Sequence, residues 1–306
     1  MAISAKDVME LRKQTDCGMM ECKKALTDAN GDFTKAIELL RERGLATAAK
    51  KAGRVAAEGM VYADYCPECK VGVVIEVNAE TDFVAKNDKF VEFVKEVSKV
   101  IMQQNPADVE ALMGCKMGEG TVDDALKQLI LVIKENIKVR RFVRYEGPCA
   151  AYVHGGGTHA VLVNFETSDD VAAKAEFAAY GKDIAMQIAA ANPSYLDEAS
   201  VPAEVVAKEK EIMLVQMAGD PKTANKPEAV KVKMIEGKMK KYYKENCLVD
   251  QEFVKDSDLS VAQYTAKVAK ELGGDIKIVK FTRFQKGEGL EKRSDDFASE
   301  VASMVK

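Results

Sequence analysis

The middle of this chain is written twice, and no other feature constrains its fold as much. The stretch from Glu58-Gly59 to Asn105-Pro106 reappears as Glu146-Gly147 to Asn192-Pro193. At a spacing of 87 residues Phe90 meets Phe177, Phe93 meets Tyr180, Lys95 meets Lys182, Val97 meets Ile184 and Ile101 meets Ile188. Downstream, Ile137-Lys138-Val139 and Phe142 match Ile276-Lys277-Ile278 and Phe281 at a spacing of 139, and Arg144-Tyr145 and Arg283-Phe284 continue that match. Each copy thus opens with a strand pair and a helix and closes with a strand. Two such units are expected to pack face to face, hiding apolar surface that neither could bury alone. The change of spacing gives the second copy 52 additional residues, between Asn192 and a helix beginning near Leu259.

Patterning fills in the rest. Ser4-Ala5-Lys6-Asp7 has the form of a helix-capping box, with Val8 and Leu11 following at helical spacing. Thr15-Asp16-Cys17-Gly18 breaks that helix. A second runs from about Met19 to Ala29 and stops at Asn30-Gly31, and Asp32 caps a third that ends at Gly44. Thr47 to Ala57 reads as a linker. Met60–Tyr65 and Val71–Val77 form a hairpin, followed by helices at Phe83–Met102 and Thr121–Lys134 and a strand at Ile137–Tyr145. The second copy repeats this with strands Ala150–Val153 and Ala160–Phe165, a helix Asp170–Ala191, and a helix and strand within Val261–Phe284. Its insert holds helices Val201–Ala218 and Lys226–Tyr243 around Gly219-Asp220-Pro221, an antiparallel hairpin with heptad spacing at Val205 and Ile212 and at Val230 and Met234. Ser294 to Lys306 reads as a terminal helix carrying Phe297, Val301 and Met304 on one face. The expected class is α+β. The expected divisions are a three-helix module at 1–46, a linker at 47–58, core copies at 59–146 and 147–286 with the insert at about 201–246, and a C-terminal module at 287–306.

Composition limits the function. A chain of 306 residues with 31% charged and 47% apolar residues has an ordinary globular balance. A net charge of −4 argues against a dedicated nucleic-acid binder. Seven cysteines, an odd number in a long chain, read as reduced thiols of a cytosolic protein. No apolar leader segment opens the sequence, and no run approaches a membrane span, so neither a signal peptide nor a membrane location is expected. The phosphate loop, the G-x-S-x-G elbow and the H-E-x-x-H zinc motif are all missing, so no catalytic residues and no cofactor are expected.

Four features remain as candidate sites. Cys66-Pro67-Glu68-Cys69 sits in the first hairpin turn, but a lone C-x-x-C supplies only half of a zinc site and lies in the wrong context for a redox helix. His154 precedes Gly155-Gly156-Gly157 in the equivalent turn of the second copy, which reads as a flexible hairpin turn. In Thr81-Asp82-Phe83-Val84, Thr81 or Asp82 can cap the next helix, and Glu166-Thr167-Ser168-Asp169 can do the same in the second copy. Capping does not account for Phe83, whose counterpart is Asp169 or Asp170. Either Phe83 is an exposed anchor for a partner or it records local asymmetry between the halves. Met19-Met20 poses a like choice, since adjacent methionines cannot both face one core. Lysines 231, 233, 238, 240, 241 and 244 could meet an acidic partner such as RNA, though such runs are commonly a solvated helix face.

Taken together, Cys17-Gly18-Met19-Met20-Glu21-Cys22-Lys23-Lys24-Ala25-Leu26 with Asn30-Gly31-Asp32, Thr81-Asp82-Phe83-Val84-Ala85-Lys86, Glu236-Gly237-Lys238-Met239-Lys240-Lys241 and Gly287-Glu288-Gly289-Leu290-Glu291-Lys292 resemble bacterial elongation factor Ts over nearly the whole chain. That resemblance implies a ubiquitin-associated-like N-terminal module and a guanine nucleotide exchange factor of elongation factor Tu. It implies that Asp82 and Phe83, flanked by Thr81 and Val84, push toward the magnesium site of the partner GTPase. His154, Met19 and Met20 would make further contacts. The Cys66–Cys69 pair departs from the pattern. The alternative is an RNA-associated or protein-interaction adaptor without exchange activity.

Overall fold

The structure, a computed structural model, describes residues 3–15 and 17–291. The helix expected from Ser294 onward lies outside them, as does Asp16 of the expected first break. Three helices open the chain: α1 (Ala5–Thr15), α2 (Met19–Asp28) and α3 (Phe33–Lys51). The Ser4–Asp7 capping box forms, with the Asp7 amide donating to Ser4 Oγ and the Ser4 amide to Asp7 Oδ2. Asp32 caps α3 by accepting from the Lys35 amide at 3.0 Å. Contrary to expectation, α3 does not stop at Gly44. It runs seven residues further, because Gly44 lets α3 close onto a later helix at the Lys127 carbonyl.

The first copy contains β1 (Glu58–Cys66), β2 (Val71–Ala79), α4 (Asp88–Gln104), α5 (Val109–Met113), the short strands β3 (Lys116–Met117) and β4 (Gly120–Thr121), α6 (Val122–Ile133) and β5 (Lys138–Glu146). The second contains β6 (Cys149–His154), β7 (His159–Thr167), α7 (Asp169–Ala172), α8 (Ala175–Ala191), α9 (Ala203–Gly219), α10 (Glu228–Asn246), β8 (Glu252–Phe253), β9 (Asp256–Ser260), α11 (Val261–Leu272) and β10 (Ile276–Gln285). Each copy builds a three-stranded antiparallel sheet, in the orders β1-β2-β5 and β10-β7-β6. The expected duplication is therefore a duplication of topology. Both long core helices end on an asparagine in the left-handed region, Asn105 at φ 48° and Asn192 at φ 46°. That is why an Asn-Pro pair closes each of them.

The central strands are buried on both sides. Along β2, Val73, Ile75 and Val77 face α4 and α6, whereas Val74 faces the other sheet. The seam between the sheets joins Val61, Ala63, Val74 and Tyr145 of the first copy to Cys149, Ala160, Leu162 and Phe284 of the second. A Cβ at Gly72 would meet the Leu162 side chain at 2.6 Å and Cys149 Cβ at 3.1 Å, so a larger residue there would displace Leu162 from the seam. Two cation–π contacts cross the seam reciprocally. Arg141 lies 4.1 Å from the Phe284 ring centroid and Lys280 lies 4.3 Å from that of Tyr145. These four residues are exchanged by the internal repeat.

One charge lies inside this seam. Glu76 is fully buried and accepts from Arg140 at 3.0 Å, Arg141 at 2.6 Å, Asn78 at 3.1 Å and the Gly287 amide at 2.9 Å. A β-bulge at Arg140 makes this possible: Glu76 pairs with Arg141 but Val77 pairs with Val139. The extra residue turns both arginines toward the carboxylate and returns Val139 to the helical side.

Elsewhere the helices depart in detail from expectation. The single helix expected at Asp170–Ala191 is broken into α7 and α8 at Ala173-Lys174. The α9–α10 hairpin forms, but its seam is Met213, Met217, Ile235 and Met239, with Val206 and Met234 beside it. Ile212 and Val230, expected in the heptad seam, are exposed, because the contact stripe is set by the methionines one position along. Glu76→Ala strips the seam of its buried carboxylate, and a loss of about 3 kcal/mol is expected from urea unfolding, the low end for a broken buried pair because both guanidiniums reach solvent.

Candidate functional site

The connection from strand to helix is where the copies differ. Eight residues join β2 to α4, but seven join β7 to α8. Val84 and Val171 are both buried and mark equivalent points. Counting back from them, Phe83 faces Asp170, Asp82 faces Asp169 and Thr81 faces Ser168. The extra residue therefore belongs to the segment that carries Phe83.

That segment is held from below. The Thr81 amide and hydroxyl both donate to Glu135, at 2.9 and 2.7 Å. Glu80 accepts from the Asn136 amide at 2.6 Å and pairs with Arg54 at 3.4 Å. Asn136 in turn donates to the Arg54 carbonyl at 2.7 Å. Beyond the tip, Val84 inserts into the first core and residues Val84–Lys86 form one 3-10 turn. Phe83 stands between these anchors with 79% of its surface exposed. Its backbone is ordinary right-handed helix at φ −63° and ψ −36°, so no strain is stored there.

Two expectations about this loop are corrected. Neither Thr81 nor Asp82 caps the next helix, because α4 starts later and Asn87 caps it, accepting from the Lys89 amide at 3.0 Å. Val84 is an anchor rather than an exposed contact, since only 5% of it is accessible. Asp82 is exposed, and among the described residues no ion pair reaches it. Its counterpart Asp169 is paired at 2.7 Å with Lys70 of the opposite copy. The residue matching Lys70 in the second hairpin is Thr158, which carries no charge to offer Asp82. The internal symmetry thus neutralises one aspartate and leaves the other bare.

The turn that carries His154 packs against β1. In that turn Gly155, Gly156 and Gly157 adopt φ of 56°, 64° and 97°, and the Gly157 carbonyl accepts from the Val61 amide at 2.9 Å. A Cβ at Gly157 would stand 2.8 Å from that of Met60, so glycine is required at that position. This places the turn against the start of β1, whose Glu58 pairs with Ala79 immediately before the Glu80–Phe83 segment. His154 is exposed and its Nδ1 lies 3.0 Å from the Tyr152 hydroxyl. Neighbouring His159 has its pKa lowered, first by burial and then by the Arg283 guanidinium.

Met19 and Met20 are both exposed, at 48% and 74%, where one exposed methionine was expected. They stand on α2, which packs on the core through Cys22, Ala25 and Leu26, and they are not part of the Phe83 loop. Cys66 and Cys69 are joined as a disulfide across the first hairpin turn, which corrects the expectation of seven reduced thiols. Among the described residues no group of three or more His, Cys, Asp and Glu side chains could hold a metal ion. Sequence reasoning missed Arg54, Glu80, Glu135 and Asn136, because the partners lie between 26 and 82 residues apart. Glu76 did leave a signal, as the lone charge within the apolar run Val73–Val77.

Comparison with known proteins agrees with this architecture. The family described as Elongation factor TS matches residues 80–288, from the Phe83 loop to the turn that closes on Glu76. A protein named Elongation factor Ts from Clostridium perfringens is 48% identical over 306 residues, covering 99% of both chains. One from Syntrophotalea carbinolica is 48% identical over 313 residues and covers both chains completely. Another, from Clostridium acetobutylicum, is 47% identical over 311 residues, covering 99% of this chain and 98% of its own. Fold and similarity together define a translation elongation factor. Within that class the chain belongs to the elongation factor Ts family. Among the described residues no helix is long and apolar enough to cross a membrane.

Thr81→Val tests the support under the loop. It removes a hydroxyl bond to a carboxylate, and we expect a loss of about 1.5–3 kcal/mol with faster amide exchange at Lys86 and Asn87.

Proposed function

We propose that this chain binds GDP-loaded elongation factor Tu and promotes release of the GDP, so that GTP can be loaded in its place. The observation that carries this reading is Phe83, an aromatic ring held 79% exposed on a loop pinned at both ends. A ring ordered before contact loses little entropy on binding. Burying it in a partner contributes about 1.5–3 kcal/mol. Asp82 beside it brings an exposed carboxylate to the same contact. In a GTPase, magnesium bridges and neutralises the phosphates. A ring and a carboxylate pressed into that site disturb the groups that hold the ion, and the nucleotide loosens with no covalent bond made or broken.

Linkage sets the size of the effect. A partner that prefers the nucleotide-free state must weaken GDP by the same factor. The chain then acts as an exchange factor without cofactor, working in the cytoplasm on both the GDP-bound and nucleotide-free forms of its partner. His154, on the turn packed against β1, and Met19 and Met20, on α2, supply further contacts to the same protein. Nucleic acid and membrane take no part.

Release of a fluorescent GDP from elongation factor Tu tests the proposal. Phe83→Ala should stay folded and slow the stimulated release by about 30-fold or more, the effect of removing a buried aromatic anchor worth about 2 kcal/mol. Equal stimulation by the variant would move the active surface elsewhere. No stimulation by either protein would favour an adaptor built on the lysines of α10, to be read as steeply salt-dependent RNA binding.

A further inference from the structure

The two hairpin turns of the core are the same length and are closed by different chemistry. Residues 67–70 link β1 to β2, and residues 155–158 link β6 to β7. The second turn is closed by three glycines. The first places Cys66 and Cys69 with their Cα atoms 5.6 Å apart, within the range that a disulfide spans without backbone movement. We infer that Cys66 and Cys69 are a reversible thiol–disulfide exchange site, oxidised by low-molecular-weight disulfides and reduced by low-molecular-weight thiols.

Exposure of Cys69 and proximity of a second thiol set this pair apart from the other cysteines. Cys69 is exposed and Cys66 is half-buried. Cys17, Cys22, Cys149 and Cys247 are buried, and the Cys115 thiol donates to the Ala111 carbonyl. Burial pushes Cys149 and Cys247 up to about 11, which leaves little thiolate to react. Reversibility follows from the hairpin. The β1–β2 ladder continues to the Cys66–Val71 pair, and the Lys70 carbonyl accepts from the Gly147 amide at 2.8 Å. The turn is therefore held whether or not the sulfurs are bonded, as its glycine counterpart is. No third ligand converts the pair to a metal site among the described residues.

In the oxidising direction, the Cys69 thiolate attacks one sulfur of the small disulfide and expels a thiolate. The Cys66 thiolate then attacks the Cys69 sulfur of the mixed disulfide and expels the second. Two protein thiols are oxidised, one disulfide is reduced, and the two protons pass to the departing thiolates. The nine residues of β2 separate the turn from the Phe83 loop, about 26 Å of extended chain. The redox state can change without disturbing that loop.

The full chain should be equilibrated in glutathione buffers of increasing oxidised fraction, quenched with N-ethylmaleimide and digested with trypsin. One peptide, Val55–Lys70, holds both cysteines. It should pass from two maleimide adducts to none, then regain both when reduced glutathione is restored. The four buried cysteines should remain unlabelled in the folded protein, and half-buried Cys115, which lies on a different tryptic peptide, does not affect the count. Two adducts at every ratio, or a disulfide that persists under full reduction, would overturn the inference. Cys66→Ser removes the resolving thiol and should trap one glutathione on Cys69; absence of that adduct would overturn Cys69 as the entry point.

Discussion

A buried carboxylate organises this molecule. Glu76 lies on the face of β2 that meets the other sheet, where a charge without partners would cost several kcal/mol. Its four partners come from β2 itself, from the bulge in β5 and from the turn after β10. Satisfying it therefore closes the second copy's last strand back over the first. Arg140 and Arg141 extend the tie by donating to the Glu288 carbonyl and carboxylate. Three residues beyond Glu76, β2 ends and the Phe83 loop begins. The loop inherits its position from the best-fixed part of the seam.

Duplication then supplies a scaffold on which asymmetry becomes function. The same strand, turn and helix occur twice, and the apolar demands of the core are met in both. What differs is free of those demands. One added residue precedes Val84 in the first copy, where Phe83 stands exposed, and Thr158 stands where the other copy has Lys70, so that no ion pair reaches Asp82 among the described residues. Three glycines bring His154 against β1, while the matching turn carries a cysteine pair and faces Asp169 through Lys70. A single repeated arrangement thus presents two unlike ends, one suited to partner contact and one to thiol chemistry.

Much of this was legible before any coordinates. Periodicity located the sheets, the long helices, the inserted hairpin and the Ser4, Asp32 and Asn30-Gly31 signals, because caps and strands obey local rules. Failures came where packing overrode local preference. Gly44 reads as a stop, but α3 continues because its glycine face is the surface that meets α6. Thr81 reads as a cap, but its hydroxyl is claimed by Glu135, 54 residues away. The hairpin heptads read one position out, since Val205 and Ile212 satisfy the same spacing as Val206 and Met213.

By itself, then, the sequence determined the duplication, the α+β class, the absence of catalytic motifs and the oddity of Phe83 against an acidic counterpart. These are consequences of spacing and of residue type, both carried by the linear chain. Tertiary structure alone decided that Phe83 is exposed while Val84 is not, that Asp82 lacks the lysine Asp169 has, and that Glu76 is paired. Each of those depends on which distant backbone atoms arrive within about 3 Å, the range over which hydrogen bonds and ion pairs act.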